Sequence, residues 1–116
     1  MSKEELRNAQ TQMLGVLADR ERQLSMELFP AFNSIHEGYA VIREEIEEME
    51  EELHSLKSNL NDMWTACRYN EKEGFLRMCT MAYHNARQAA LEALQVMAMA
   101  EKAVISLKGE ADDNRG

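Results

Sequence analysis

The chain has 116 residues, with one Pro, five Gly, two Cys, and 21 acidic against 13 basic side chains, a formal charge of −8. That length allows one domain, and so few turn residues exclude a many-stranded sandwich or barrel. The charge has the wrong sign for non-specific binding to a nucleic-acid polymer, whose phosphates demand cations.

No apolar run approaches the roughly 18 residues that cross a bilayer, so no membrane partner is expected. The opening MSKEELRNAQ is unlike a signal peptide. Cys67 and Cys79 cannot build a secreted disulfide framework, which makes a reducing, cytoplasmic setting the expectation.

In chain order, the first segment, about Lys3 to Leu28, carries Leu6, Met13, Leu17, Leu24 and Leu28 on one stripe, opposite Arg7, Asp19 and Arg22. This is the pattern of an amphipathic helix. Phe29-Pro30 ends it, because proline inside a helix loses a hydrogen bond. Asn33 or Ser34 is then placed to cap a second helix, with Glu37 at capping-box spacing from Ser34. Tyr39, Ile42, Ile46, Met49, Leu53, Leu56, Leu60 and Met63 follow at alternating spacings of three and four. That seven-residue period predicts a helix packed along most of its length against other helices.

Asn70-Glu71-Lys72-Glu73-Gly74 interrupts the pattern. The third segment resumes it with smaller residues: Phe75, Met78, Ala82, Ala86, Ala89, Ala93, Val96, Ala100, Ala103 and Leu107. Alanine on a contact stripe lets helix axes approach closely. The tail 109–116, GEADDNRG, reads as disordered. The expected architecture is therefore all-α: one domain over 1–108, a bundle of long antiparallel helices completed by self-association.

The acid is uneven. From Glu44 to Glu52 seven of nine residues are glutamate, one third of all the acid in the chain. Counting about 100° per residue from Ile46 puts Glu45, Glu48 and Glu52 on one flank of the apolar stripe. Glu44 and Glu51 lie farther round, beside Glu48, and Glu47 and Glu50 point away. On the third helix the same count groups Gln88, Glu92, Gln95 and Met99. If the stripes pack, the two flanks meet as a pocket of carboxylates and amides. Such a cluster repels itself unless protonated or neutralised, and a hard divalent cation such as Mg²⁺ suits all-oxygen donors. The plain alternative is a solvated helix face rich in a good helix former.

The run His36-Glu37-Gly38-Tyr39-Ala40-Val41-Ile42-Arg43-Glu44-Glu45-Ile46-Glu47-Glu48 resembles the EExxE helix of the all-α MazG-like nucleoside triphosphate pyrophosphatases. Glu92-Ala93-Leu94-Gln95-Val96-Met97-Ala98-Met99-Ala100 resembles the helix carrying that family's ExxD motif. The resemblance spans residues 34–107 and is nearest to small members of bacterial and phage origin. It implies Mg²⁺-dependent hydrolysis of a nucleoside triphosphate, ribo or deoxy, to a monophosphate and pyrophosphate, with Mn²⁺ as a substitute ion, in a dimer or tetramer. Residue by residue it makes Glu44, Glu45, Glu48 and Glu92 metal ligands. Glu44, Glu45 and Glu48 form its catalytic motif. Gln95 stands where the family has Asp: an amide oxygen can ligate Mg²⁺ but supplies neither charge nor a general base.

Arg43, Lys57, Arg68 and Lys102 are the cations available to phosphates, and Trp64 and Tyr69 the aromatics available to a base. His36 is expected to cap or to line an interface. His54 and His84 have no Cys/His ligand spacing, so zinc is not expected. Three readings follow: a pyrophosphohydrolase, a relative that keeps the bundle without the chemistry, or a helical adaptor whose acidic face is merely solvated.

Overall fold

The computed structural model describes residues 1–113, with side chains described through Lys108. The chain is all-α: α1 (Lys3–Leu28), α2 (Ile35–Arg68) and α3 (Lys72–Asp113), with no strand among the described residues. The breaks fall where proline and the polar interruption place them. Of the expected tail, α3 takes in residues to Asp113, and 114–116 lie outside the described residues.

Local chemistry explains each boundary. The Glu5 N–H donates to Ser2 Oγ at 3.0 Å, an N-cap that satisfies one free donor of α1. The helix ends with the Phe29 N–H on the Ser25 carbonyl, one residue before Pro30. Ser34 caps α2: its Oγ accepts from the Glu37 N–H at 3.2 Å. Glu37 returns its carboxylate to the Asn33 N–H, one residue earlier than a standard capping box. At the other end, Asn70 adopts φ 51°, the left-handed region that asparagine tolerates. The Glu71 N–H reaches the Ala66 carbonyl and the Asn70 N–H the Cys67 carbonyl, the paired bonds of a Schellman stop. The chain reverses in three residues, and α3 begins as the Phe75 N–H meets the Glu71 carbonyl.

The chain divides into two compact units, one built from residues 1–44 and the chain from Leu94 onward, the other from 45–93. In the first, Phe32, Ala98 and Met99 form a buried cluster with Val41, Ile42, Ala103 and Leu107 packed on it. α1 and α3 run in the same direction there, since Glu21, Arg22 and Ser25 meet Gln95, Glu101 and Lys102 respectively. The α1 face turned to α3 is small and polar, with Ala18 buried. The leucine stripe expected to be core, Leu6 to Leu28, is exposed instead. Polar partners on α3 hold the other face of α1, so the stripe lies on the far side.

The second unit is a helical hairpin. Its inner seam on α2 carries the rows Met49, Leu56, Met63 and Glu45, Glu52, Asn59, Ala66, all buried or half-buried. Leu53 and Leu60, expected in the core stripe, are 41% and 62% exposed. The apolar surface of α2 is wider than one neighbouring helix covers. One row of it therefore stays outside. Among the described residues no large side chain is fully buried.

Candidate metal centre

Glu45 and Glu48 lie one turn apart on α2, so their side chains emerge on neighbouring positions of one face. The three-residue reversal at Tyr69–Glu71 brings α3 back alongside and delivers Glu92 to the same place. One carboxylate oxygen from each of Glu45, Glu48 and Glu92 lies within 4.8 Å of the other two. Glu45 and Glu92 are half-buried and Glu48 exposed, so the cluster sits at the border between seam and solvent. That is the flank on which helical counting placed Glu45 and Glu48.

The cluster is electrostatically loaded. Burial, followed by the charge of Glu48 and a side-chain hydrogen bond with it, holds the Glu92 carboxyl above its ordinary 4.5, and Glu52 and Glu51 push it the same way. Every one of these influences raises it. A proton shared between Glu48 and Glu92 relieves the repulsion in one way, and a divalent cation relieves it in another.

The donor set fits a small hard ion. An octahedral Mg²⁺ with bonds of about 2.05 Å places its donor oxygens about 2.9 Å apart when adjacent and about 4.1 Å apart when opposite. The three carboxylate oxygens lie within 4.8 Å of one another, close to those spacings. Three protein oxygens leave coordination positions for water and for phosphate oxygens.

The other sequence candidates are placed differently. Glu44 is exposed and is the last residue of the first unit. Gln95, also in that unit, uses its amide: Nε2 donates to Glu21 Oε2 at 2.8 Å. Lys102, considered for phosphate, is withdrawn from solvent at 3% exposure, its Nζ bonded to the Phe29 carbonyl and Ser25 Oγ and 4.6 Å from the Phe32 ring centre. It finishes the C-terminus of α1, where a cation meets unsatisfied carbonyls. Arg43, Lys57 and Arg68 are exposed. Trp64 and Tyr69 are also exposed, with the Arg68 guanidinium 6.0 Å from the Tyr69 ring centre. His36 stands exposed in the first turn of α2, and His84 pairs with Arg87 at 3.0 Å.

Two residues of consequence escaped sequence reasoning. Asn59, in the hairpin seam, is 5% exposed and its Nδ2 has no hydrogen-bond partner. Its one signal was position, a seven-residue step beyond Glu52. Glu21, the partner of Gln95, lies in a helix outside the motif pair and carried no signal at all.

Comparison with protein-family models, characterised proteins and solved structures returns no match for this chain. No helix among the described residues is long and apolar enough to cross a membrane.

Proposed function

We propose that the chain is a metal-dependent nucleotide pyrophosphohydrolase of the MazG-like kind, acting as a self-associated bundle. One observation carries the reading: Glu45, Glu48 and Glu92, drawn from two helices, converge within ligand distance. The pair of motifs that led to these residues places them 44 positions apart between Glu48 and Glu92. Their meeting is a requirement of the proposal that the sequence did not guarantee.

In this reading Glu45, Glu48 and Glu92 hold Mg²⁺, or Mn²⁺ in its place. The ion, when bound, polarises a phosphoryl oxygen and lowers the pKa of an attacking water. The chain's own part is to bring three carboxylates from two helices of the hairpin to one place. Half-burial of Glu45 and Glu92 strengthens each carboxylate's interaction with a cation relative to bulk water. The substrate is a nucleoside triphosphate, cleaved to a monophosphate and pyrophosphate. Glu44 is the remaining carboxylate of the motif and stands outside this ligand set. Gln95 supplies no base, because a neutral amide has none to give; its Nε2 donates to Glu21.

The test is incubation with a panel of NTPs and dNTPs plus Mg²⁺, followed by pyrophosphate detection. Release is expected, and it should disappear in the Glu45→Ala/Glu48→Ala variant. Equal signals from both proteins would overturn the enzymatic reading. A helical adaptor would then be left, a role to which the exposed apolar rows are suited.

A further inference from the structure

α1 faces α3 with its polar side. Of its 26 described residues one, Ala18, is buried, while Leu6, Met13, Leu17, Leu24 and Leu28 are each 46–65% exposed. The side-chain bonds that tie it to α3 start near its C-terminus: Glu21 accepts from Gln95, Arg22 donates to Glu101, and Ser25 accepts from Lys102. In a protein a helix owes most of its stability to the packing of an apolar face, and α1 turns that face outward. What holds it is polar and partly wet, the Arg22 and Glu101 side chains being 17% and 36% exposed. Such pairs contribute little and are screened by salt.

The chain just beyond α1 is anchored differently. Phe32 is buried in the cluster with Ala98 and Met99, and its N–H donates to Ser106 Oγ at 3.1 Å. Pro30 and Ala31, both exposed, separate that anchor from the helix. Lys102 spans the gap: its Nζ donates to the Phe29 carbonyl at 2.8 Å and lies 4.6 Å from the Phe32 ring centre.

We infer that α1 is a latched arm. Residues 1–29 leave α3 as one piece, turning at Pro30 and Ala31, while Phe32 and its cluster stay packed. The leucines are largely in water before and after. The cost of release therefore falls on the polar bonds, with Ala18 and the half-buried Met26 as its apolar part. A region with few buried apolar contacts opens at a free energy below that of global unfolding. Release strips Gln95, Glu101 and Lys102 of their partners in α1. An amide, a carboxylate and an ammonium, set along about two turns of α3, are then open to water and to polar ligands. Lys102, 3% exposed with the arm in place, changes most. The arm is a gate over that strip, and it works whether or not the chain hydrolyses nucleotides.

Native-state hydrogen exchange of the full chain, without metal or nucleotide, tests it. Once detached, the helix has no packed face to hold it and its amides exchange. Those of residues 6–28 should exchange at least about tenfold faster than those of residues 49–63 in the seam of α2. Their rates should also climb less steeply with urea, because opening one helix exposes less surface than unfolding the chain. Raising NaCl from about 0.05 M to about 1 M should accelerate the arm about fivefold. Arg22→Gln should reproduce that acceleration at low salt and abolish the salt response, and Glu101→Gln, on the other side of the pair, should do the same. Arm and seam amides sharing one rate and one urea slope would overturn the inference, since α1 would then open only with the rest. An arm indifferent to salt, or a salt response that survives in both variants, would overturn it as well.

Discussion

The two units bury polar groups in opposite ways. In the unit formed by the chain ends, the described polar groups that are withdrawn from solvent meet complements: Arg22 Nε donates to Glu101 at 2.6 Å, Gln95 to Glu21, and Lys102 to a helix-terminal carbonyl and a hydroxyl. In the hairpin unit three carboxylates crowd one place, and Asn59 holds an unpaired donor. Polar groups of the first kind serve the fold, because a satisfied network fixes which helix lies where. Polar groups of the second kind cost stability. The contrast sets a crowded acidic cluster in the hairpin against a satisfied polar network at the chain ends.

Four measurements break or sharpen that contrast. The largest effect should come from Lys102→Ala, which strips the donor from the Phe29 carbonyl and Ser25 and empties the space over Phe32. A loss of about 3 kcal/mol in urea unfolding is expected, and a loss below about 1 kcal/mol would mean that water serves those acceptors as well. Next is the cation. Mg²⁺ at a hundredfold excess over its dissociation constant should stabilise the chain by about 2.7 kcal/mol. The resulting rise in melting temperature should vanish in Glu45→Ala/Glu48→Ala. A melt indifferent to Mg²⁺ and Mn²⁺ would remove the ground for separating the two units.

Third, Asn59→Leu should stabilise the chain by about 1 kcal/mol, since it deletes an orphaned donor and adds apolar contact. Destabilisation of similar size would show that the amide has a partner after all. The smallest effect is one of pH. The Glu92 carboxyl is raised in the folded chain, so its unfavourable contribution grows as pH climbs through that raised value and is absent below the ordinary 4.5. Without metal, the melting temperature should therefore rise as pH falls from about 7 towards about 5. Glu92→Gln should flatten that slope, and an unchanged slope would remove Glu92 as its source.

Much of this was legible in the sequence because it depends on local chemistry. Proline after Phe29, the Ser34–Glu37 pair and the polar run at Asn70 marked the end of α1, the start of α2 and the reversal after it, whereas α3 begins three residues before and ends five residues beyond the expected segment. Counting along α2 and α3 placed Glu45 and Glu48 on the flank that α3 meets at Glu92. Selection of the packed face was not legible. Met49, Leu56 and Met63 belong equally to a stripe containing Leu53 and Leu60 and to one containing Glu45, Glu52 and Asn59. Periodicity alone cannot tell which of two overlapping rows a neighbour will cover. On α1 the leucines suggested a core face, but the bonds that decide it run to Glu101 and Lys102, nearly eighty positions away.

The Asn70 turn has a consequence for the order in which the molecule is made. Reversal in three residues gives the hairpin a loop whose closure entropy is near its minimum. Arg22 must instead find Glu101 across 79 intervening steps of chain. Contacts of short separation form first. During synthesis the hairpin can therefore zip up from Asn70 outward while α1 waits for the last third of α3 to be made. The acidic cluster, twenty-odd residues from the turn on either helix, depends on contacts of shorter separation than those that join the chain ends.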